Sequence, residues 1–264
     1  MIAIIILLAA TLAGGIHTSP TPAAPKWKLT WSDEFNGPAG TVPDPKKWTY
    51  DRGGNGWGNN ELEFYTDSRT NSYMDGHGHL VIEAKQEHRG NREYTSARMK
   101  TEGLFSQTYG KFEARIQIPY GQGIWPAFWT LGENIGTVGW PACGELDIME
   151  VIGKEPHTNH GSAHNPGFDL TKSIETTDGK DLHEQFHTYS IEWQPDQIRW
   201  YMDGRLYSTL NRSDVTAGKP WPYDKPQFII LNLAVGGNWP GPPNAETTFP
   251  QKMLVDYVRV YKQE

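Results

Sequence analysis

The run Glu145-Leu146-Asp147-Ile148-Met149-Glu150 puts three carboxylic acids into six residues that are otherwise apolar. In an extended chain, residues two apart share a face. Glu145 and Asp147 therefore point one way, and Leu146 and Ile148 point the other way into a core. Glu150 has the wrong parity, and a carboxylate buried unpaired among apolar side chains is costly. One extra residue, a β-bulge, restores the parity; with Met149 as that residue, all three acids line one face. Like charges side by side on a sheet repel. Such a row persists where water or ligand compensates it, or where it does chemistry. A solvated acidic face is the plain alternative. The chemistry would be cleavage of a glycoside, which needs one ionised acid to attack the anomeric carbon and one protonated acid to serve the leaving oxygen. Mutual repulsion helps keep the two in different states. Asp147, between them, could hydrogen-bond Glu145 and hold its charge and orientation. Trp140 just upstream adds a flat apolar ring of the kind that stacks on sugars.

The elements that must carry this row read as strands. Leu80–Ala84, Gly110–Ile118 and Phe186–Trp193 are β-branched or aromatic with alternation. Ile198–Met202 is followed by Asp203-Gly204 and then Arg205–Tyr207, a tight-hairpin signature. Phe228–Val235 has the character of a central strand, and Val255–Tyr261 forms the last strand of the chain. Strands at this density, broken by Gly, Pro and Asn turns, predict an all-β sandwich. No helical alternation suggests βαβ units, and no repeat of fixed period is evident.

The 264 residues suit one large all-β domain. A formal net charge of −7, with 24 basic against 31 acidic residues and no basic run, argues against a nucleic-acid partner. A neutral polymer is compatible with that balance. Cys143 is the single cysteine, so no intrachain disulfide forms, and the acids beside it disfavour a reactive thiolate. It reads as a small buried hydrophobe. The nine histidines show no zinc-type spacing.

Residues 1–17 are apolar and rich in small residues, with the proportions of a signal-peptide core but no Lys or Arg ahead of it. Export is expected, with an uncleaved membrane anchor as the alternative. Residues 18–26, rich in Thr and Pro, read as a stiff linker. Residues 27–264 are expected to form the catalytic domain.

The motif Gly144-Glu145-Leu146-Asp147-Ile148-Met149-Glu150 resembles that of glycoside hydrolase family 16, and within it the laminarinase-like bacterial endo-β-1,3-glucanases. The similarity extends through Trp31–Phe35, Gly58–Tyr65, Ile124–Trp129, Asn232–Pro240 and the last strand. It implies a β-jelly-roll of two curved antiparallel sheets, concanavalin A-like, with the catalytic cleft on the concave face. It also implies a retaining double displacement in which Glu145 is the nucleophile, Glu150 the acid/base and Asp147 the helper. Trp125, Trp129, Trp140 and Trp239 would stack sugars, although for Trp125 and Trp129 a core role is an equal reading. Asn60, Glu61, Arg98 and His164, the last on a Gly-flanked loop, would bond sugar hydroxyls. A structural calcium held by Glu34, the backbone of Gly78 and Asp256 is implied away from the cleft, and no cofactor is needed for catalysis. The expected partner is a β-glucan polysaccharide, and the expected state is a monomer with no stable membrane partner.

The competing readings are a hydrolase of mixed-linked β-1,3-1,4-glucan or of a galactan, a lectin-like β-glucan binder, and a structural wall protein. A lectin has no need of both Glu145 and Glu150.

Overall fold

The alternating stretches fold as seventeen strands in a computed structural model, which describes residues 25–264. In chain order they are β1 (Trp27–Asp33), β2 (Thr49–Asp51), β3 (Glu63–Tyr65), β4 (Ser72–Met74), β5 (Leu80–Ala84), β6 (Tyr94–Ser96), β7 (Arg98–Lys100), β8 (Gly110–Gln117) and β9 (Ile124–Gly132). There follow β10 (Glu145–Glu150), β11 (Thr158–Asn165), β12 (Phe168–Glu175), β13 (His187–Gln194), β14 (Gln197–Met202), β15 (Arg205–Asn211), β16 (Gln227–Val235) and β17 (Gln251–Gln263). The one α-helical turn among the described residues, α1 (Ile135–Val138), sits in the loop before β10. The expected leader, and the linker up to residue 24, lie outside the described residues.

Two antiparallel sheets make a jelly-roll sandwich. One runs β15-β14-β13-β8-β17-β5-β4, with β1 also on β17; the other runs β12-β11-β10-β9-β16-β7-β2. A small parallel pair, β3-β6, lies apart from both. Phe228–Val235 is central as expected, with β9 and β7 on its two sides. The Asp203-Gly204 pair turns β14 into β15 with both residues at positive φ, 49° and 75°.

The core lies between the sheets. Leu146, Ile148 and Met149 are fully buried there with Trp200, Tyr189, Ile191 and Phe128. Burying each such side chain contributes roughly 1.5–3 kcal/mol. Trp200 also donates its indole N–H to the Asp147 carbonyl at 2.8 Å, tying the core to the middle of β10. Gly144 leads into that strand at φ 78°, and a Cβ there would lie 2.9 Å from Pro222 Cγ. Only glycine suits both the left-handed turn and the close approach.

The bulge is present, one position earlier than expected. Against β9, Asp147 pairs with Trp129 and Met149 with Phe128, which leaves Ile148, not Met149, without a partner. Against β11, Asp147 faces Ser162 and Glu150 faces His160, a step of three residues against two. The outcome for parity is the same: Ile148 and Met149 both enter the core, and Glu150 returns to the face of Glu145 and Asp147.

Candidate active site

Strand register assembles the site. Three cross-strand rows lie on the outer face of the seven-stranded sheet. The first is Asp169, His164, Glu145 and Leu131. The second is Thr171, Ser162, Asp147 and Trp129. The third is Glu150 between His160 and Ala127, continued by Asn232, Arg98 and Asp51. Directly paired residues share a face, so the seven neighbouring strands of this one sheet supply the acids and most of their surroundings.

Each of the outer two acids has its own indole donor. Trp140 Nε1 donates to Glu145 Oε2 at 2.7 Å, and Trp125 Nε1 donates to Glu150 Oε1 at 3.1 Å. Asp147, 2% exposed, meets His164 Nε2 at 3.2 Å as an ion-pair contact rather than an aligned hydrogen bond. His164 Nδ1 is in turn held by Asp169 Oδ1 at 2.8 Å. Glu145, Asp147 and His164 offer ligand atoms within 4.8 Å of one another. That compactness suits proton sharing, and it does not coincide with the calcium set expected from sequence.

Burial pushes all three acids upward. Glu145 is raised to about 8, by desolvation first and then by the charge of Asp147, against the lowering effects of His164 and the Trp140 N–H. Asp147 is raised to about 7 by desolvation, partly offset by its hydrogen bond with Glu145. Glu150 is pushed well above the ordinary carboxylate range by desolvation and by the other two acids, with the Trp125 N–H opposing. Near neutral pH the trio therefore carries fewer than three negative charges: Glu150 holds a proton, and Glu145 and Asp147 share another.

The remaining expected residues divide. Trp125 and Trp129 alternate on β9, half-buried with one face toward the acids, and Trp125 meets Trp239 edge to face at 5.6 Å. Trp140 is 60% exposed at the rim. Arg98 is wedged between Trp57 and Trp129, its guanidinium 5.1 and 4.7 Å from the two ring centroids, with Nε 2.9 Å from Asp51 Oδ2. Asn60 sits on the rim, exposed, and donates to Asn238 at 2.8 Å. Glu61 differs from expectation: it is 3% exposed and accepts from Tyr65 Oη at 2.9 Å, so it lies behind the cleft wall rather than on it. His164 also differs, because Gly161–Asn165 is strand β11 and not a loop.

Sequence reading missed Trp57 and His160. Trp57 adopts φ 49°, a conformation rare for a bulky residue, on a loop whose Gly spacing signalled a turn but not where a ring would go. His160 faces Glu150 across the strands and touches Trp239 at 4.9 Å, with burial holding its pKa below the usual value. Once β11 is recognised as a strand, its even spacing from His164 would have revealed it. Cys143 is buried as expected, packed with Leu131, Phe228 and Ile230 under the loop that bears Trp140.

A jelly-roll whose open sheet face carries two acids, each with an indole donor and a third acid between, has the equipment of an enzyme that cleaves glycosidic bonds. Residues 57–259 match Glycosyl hydrolases family 16, and the chain belongs to that family. It is 43% identical over 251 residues to the beta-glucanase of Rhodothermus marinus, covering 90% of this chain and 86% of that protein. Among solved structures it is similar to the laminarinase catalytic domain of Thermotoga maritima, with a TM-score of 0.86 and 47% identity over 90% of this chain and 99% of that one. The endo-β-1,3-glucanase of Pyrococcus furiosus is similar at a TM-score of 0.86 and 47% identity, covering 91% and 96% of the two chains.

Proposed function

We propose that this protein is an exported, endo-acting hydrolase of β-1,3-glucan that works by retaining double displacement. The observation that carries the reading is the pair Glu145 and Glu150 on one face, each held by its own indole, with Asp147 between them. The proton shared by Glu145 and Asp147 comes to rest on Asp147 as substrate binds, leaving Glu145 as the carboxylate. His164 beside the pair and the N–H of Trp140 favour charge on that side. Glu145 then attacks the anomeric carbon while Glu150 gives its proton to the leaving oxygen. In the second half Glu150 takes a proton from water, and the water displaces Glu145 from the glycosyl-enzyme. A sugar hydroxyl in place of that water would give a lengthened chain. The β-1,3 preference is supported by the named activities of the similar proteins and by a bulge that bends the acid row.

Laminarin supplies the test. Wild-type protein should release mixed short oligosaccharides whose first-formed reducing ends are β-anomers by proton NMR. Glu145→Gln should keep the fold and lose at least about a thousandfold in kcat, as removal of a covalent nucleophile does. Products of α configuration would rule out the double displacement, and no products at all would move the substrate to a mixed-linked glucan or a galactan.

Export rests on the apolar N-terminal stretch, and the monomeric state on no partner being needed to complete the site. Among the described residues no helix is long and apolar enough to cross a membrane. A structural calcium belongs to the same proposal. Glu34 follows β1 and Gly78 precedes β5, two strands that pair with β17, the strand that carries Asp256, and oxygen ligands suit that ion. Glu34 is paired with Arg259 at 2.7 Å and Asp256 with Arg115 at 2.6 Å, so an ion there would displace both arginines.

A further inference from the structure

Behind the cleft wall runs a hydrogen-bond chain whose direction is fixed at every step. An indole N–H can only donate. Trp129 Nε1 donates to Asn232 Oδ1 at 2.7 Å, so the amide group of Asn232 is the end that meets Tyr65 Oη at 3.2 Å. Tyr65 must therefore aim its own hydrogen elsewhere, and Glu61 Oε2 lies 2.9 Å away to accept it. Asn59 Nδ2 reaches the other oxygen of Glu61 at 3.4 Å. Next to Glu61 stands Glu63, fully buried. Its Oε2 accepts the Val235 N–H at 2.7 Å, while its Oε1 has no partner of its own. Two adjacent buried carboxylates cannot both be charged at tolerable cost. A proton on Glu63 Oε1 turned toward Glu61 satisfies the orphaned oxygen and completes the chain. Burial and the charge of Glu61 both push Glu63 well above the ordinary range, in the direction this requires.

The far end of the chain is the cleft. The ring of Trp129 is one wall of the slot that holds Arg98, and Trp57 is the other. Trp57 in turn packs on Tyr65 at 5.5 Å, so the same tyrosine supports both walls. Resting on the reading of this cleft as a glucan site, we propose that Glu63, Glu61, Tyr65 and Asn232 are positioning residues. They lock the Trp129–Arg98–Trp57 sandwich into one rigid platform for glucosyl rings. None of the four needs to touch the reacting atoms. Their effect falls on sugar binding, because a ring free to tilt loses its stacking partner before chemistry begins.

The experiment compares Tyr65→Phe, which removes only the linking hydroxyl, with Glu63→Gln, which keeps a donor toward Glu61, and Glu63→Leu, which does not. The first readout needs no substrate: the indole Nε1–H resonance of Trp129 in protein labelled with nitrogen-15 at tryptophan, identified by its loss in Trp129→Phe. Tyr65→Phe and Glu63→Leu should move that resonance and speed its hydrogen exchange; Glu63→Gln should leave it in place. On laminarin oligosaccharides, Tyr65→Phe should raise KM about tenfold with kcat within about twofold, the split expected for lost uniform binding. Glu63→Gln should stay within about twofold on both. A resonance unmoved in folded Tyr65→Phe overturns the proposal, as does Glu63→Gln proving as damaging as Glu63→Leu. If laminarin is not the substrate, the kinetic arm fails in the wild type too, and the resonance still decides the chain.

Discussion

Glu145 and Glu150 are chemically the same residue type five positions apart, and their surroundings divide the labour. Both are raised by desolvation and each has an indole donor, but Glu150 is pushed further by the charges of both other acids, and Glu145 by that of Asp147 alone. Trp140→Phe keeps the ring and removes the donor. The pKa of Glu145 should rise, so the acid-side limb of the kcat/KM profile should move to higher pH; a pH-rate profile checks it, and an unmoved limb would remove Trp140 from the electrostatics. Raised carboxyl pKa values also cost stability. A group that binds its proton more tightly when folded stabilises fully below its unfolded pKa, and that contribution is lost as pH climbs through the folded value. For Glu145 the window runs from the ordinary carboxylate range to about 8, and Glu150 shifts in the same direction. Glu150→Gln should therefore melt higher than wild type, with a gap that widens between pH 4 and pH 8, while losing activity. A gap constant across that range would contradict the upward shift.

At the level of elements, strand β10 does its work through one irregularity. Ile148 has no partner on β9; were all six residues paired regularly with no bulge, every position after it would change face. Deleting Ile148 would leave Glu145-Leu146-Asp147-Met149-Glu150 as a regular strand, in which Met149 still faces Phe128, and Glu150 still faces Ala127 on the side of Glu145 and Asp147. The expected result is a protein that keeps hydrolytic activity, with a stability loss of about 2–5 kcal/mol from the missing core side chain. Urea denaturation monitored by tryptophan fluorescence checks it. A folded deletion variant without activity would mean that the bulge sets the spacing of the acids and not their parity alone. Neighbouring β11 matters as much: its even alternation brings His160, Ser162 and His164 to the cleft, and Gly161 clears Trp200 on the opposite side.

Across the whole molecule, the two sheets do different things. The seven-stranded sheet spends its outer face on acids and indoles, and the eight-stranded sheet covers its own with ion pairs such as Arg199 with Glu192 and Arg259 with Glu34. The proposed calcium belongs to this second sheet, remote from the acids. Calcium at millimolar concentration against a chelator should raise Tm by a few degrees and leave kcat unchanged. An identical Tm in both would mean that Arg259 and Arg115 hold those carboxylates permanently.

The acid row and its parity conflict, the Asp203-Gly204 hairpin and the central strand Phe228–Val235 were all legible in the sequence, because alternation and turn chemistry act between near neighbours. So was the burial of Cys143, since nothing beside it could activate a thiol. Which residue forms the bulge was not legible, because Ile148 and Met149 are equally apolar and only the partner strand distinguishes them. Nor could local pattern place Glu61 behind the wall, or Trp57 against Arg98. Those positions depend on how β3 and its loop dock on β16 and β7, contacts between segments up to 172 residues apart. Chemistry was written in residue types at short range; the exposure of each acid, its donor and its proton were decided by long-range packing.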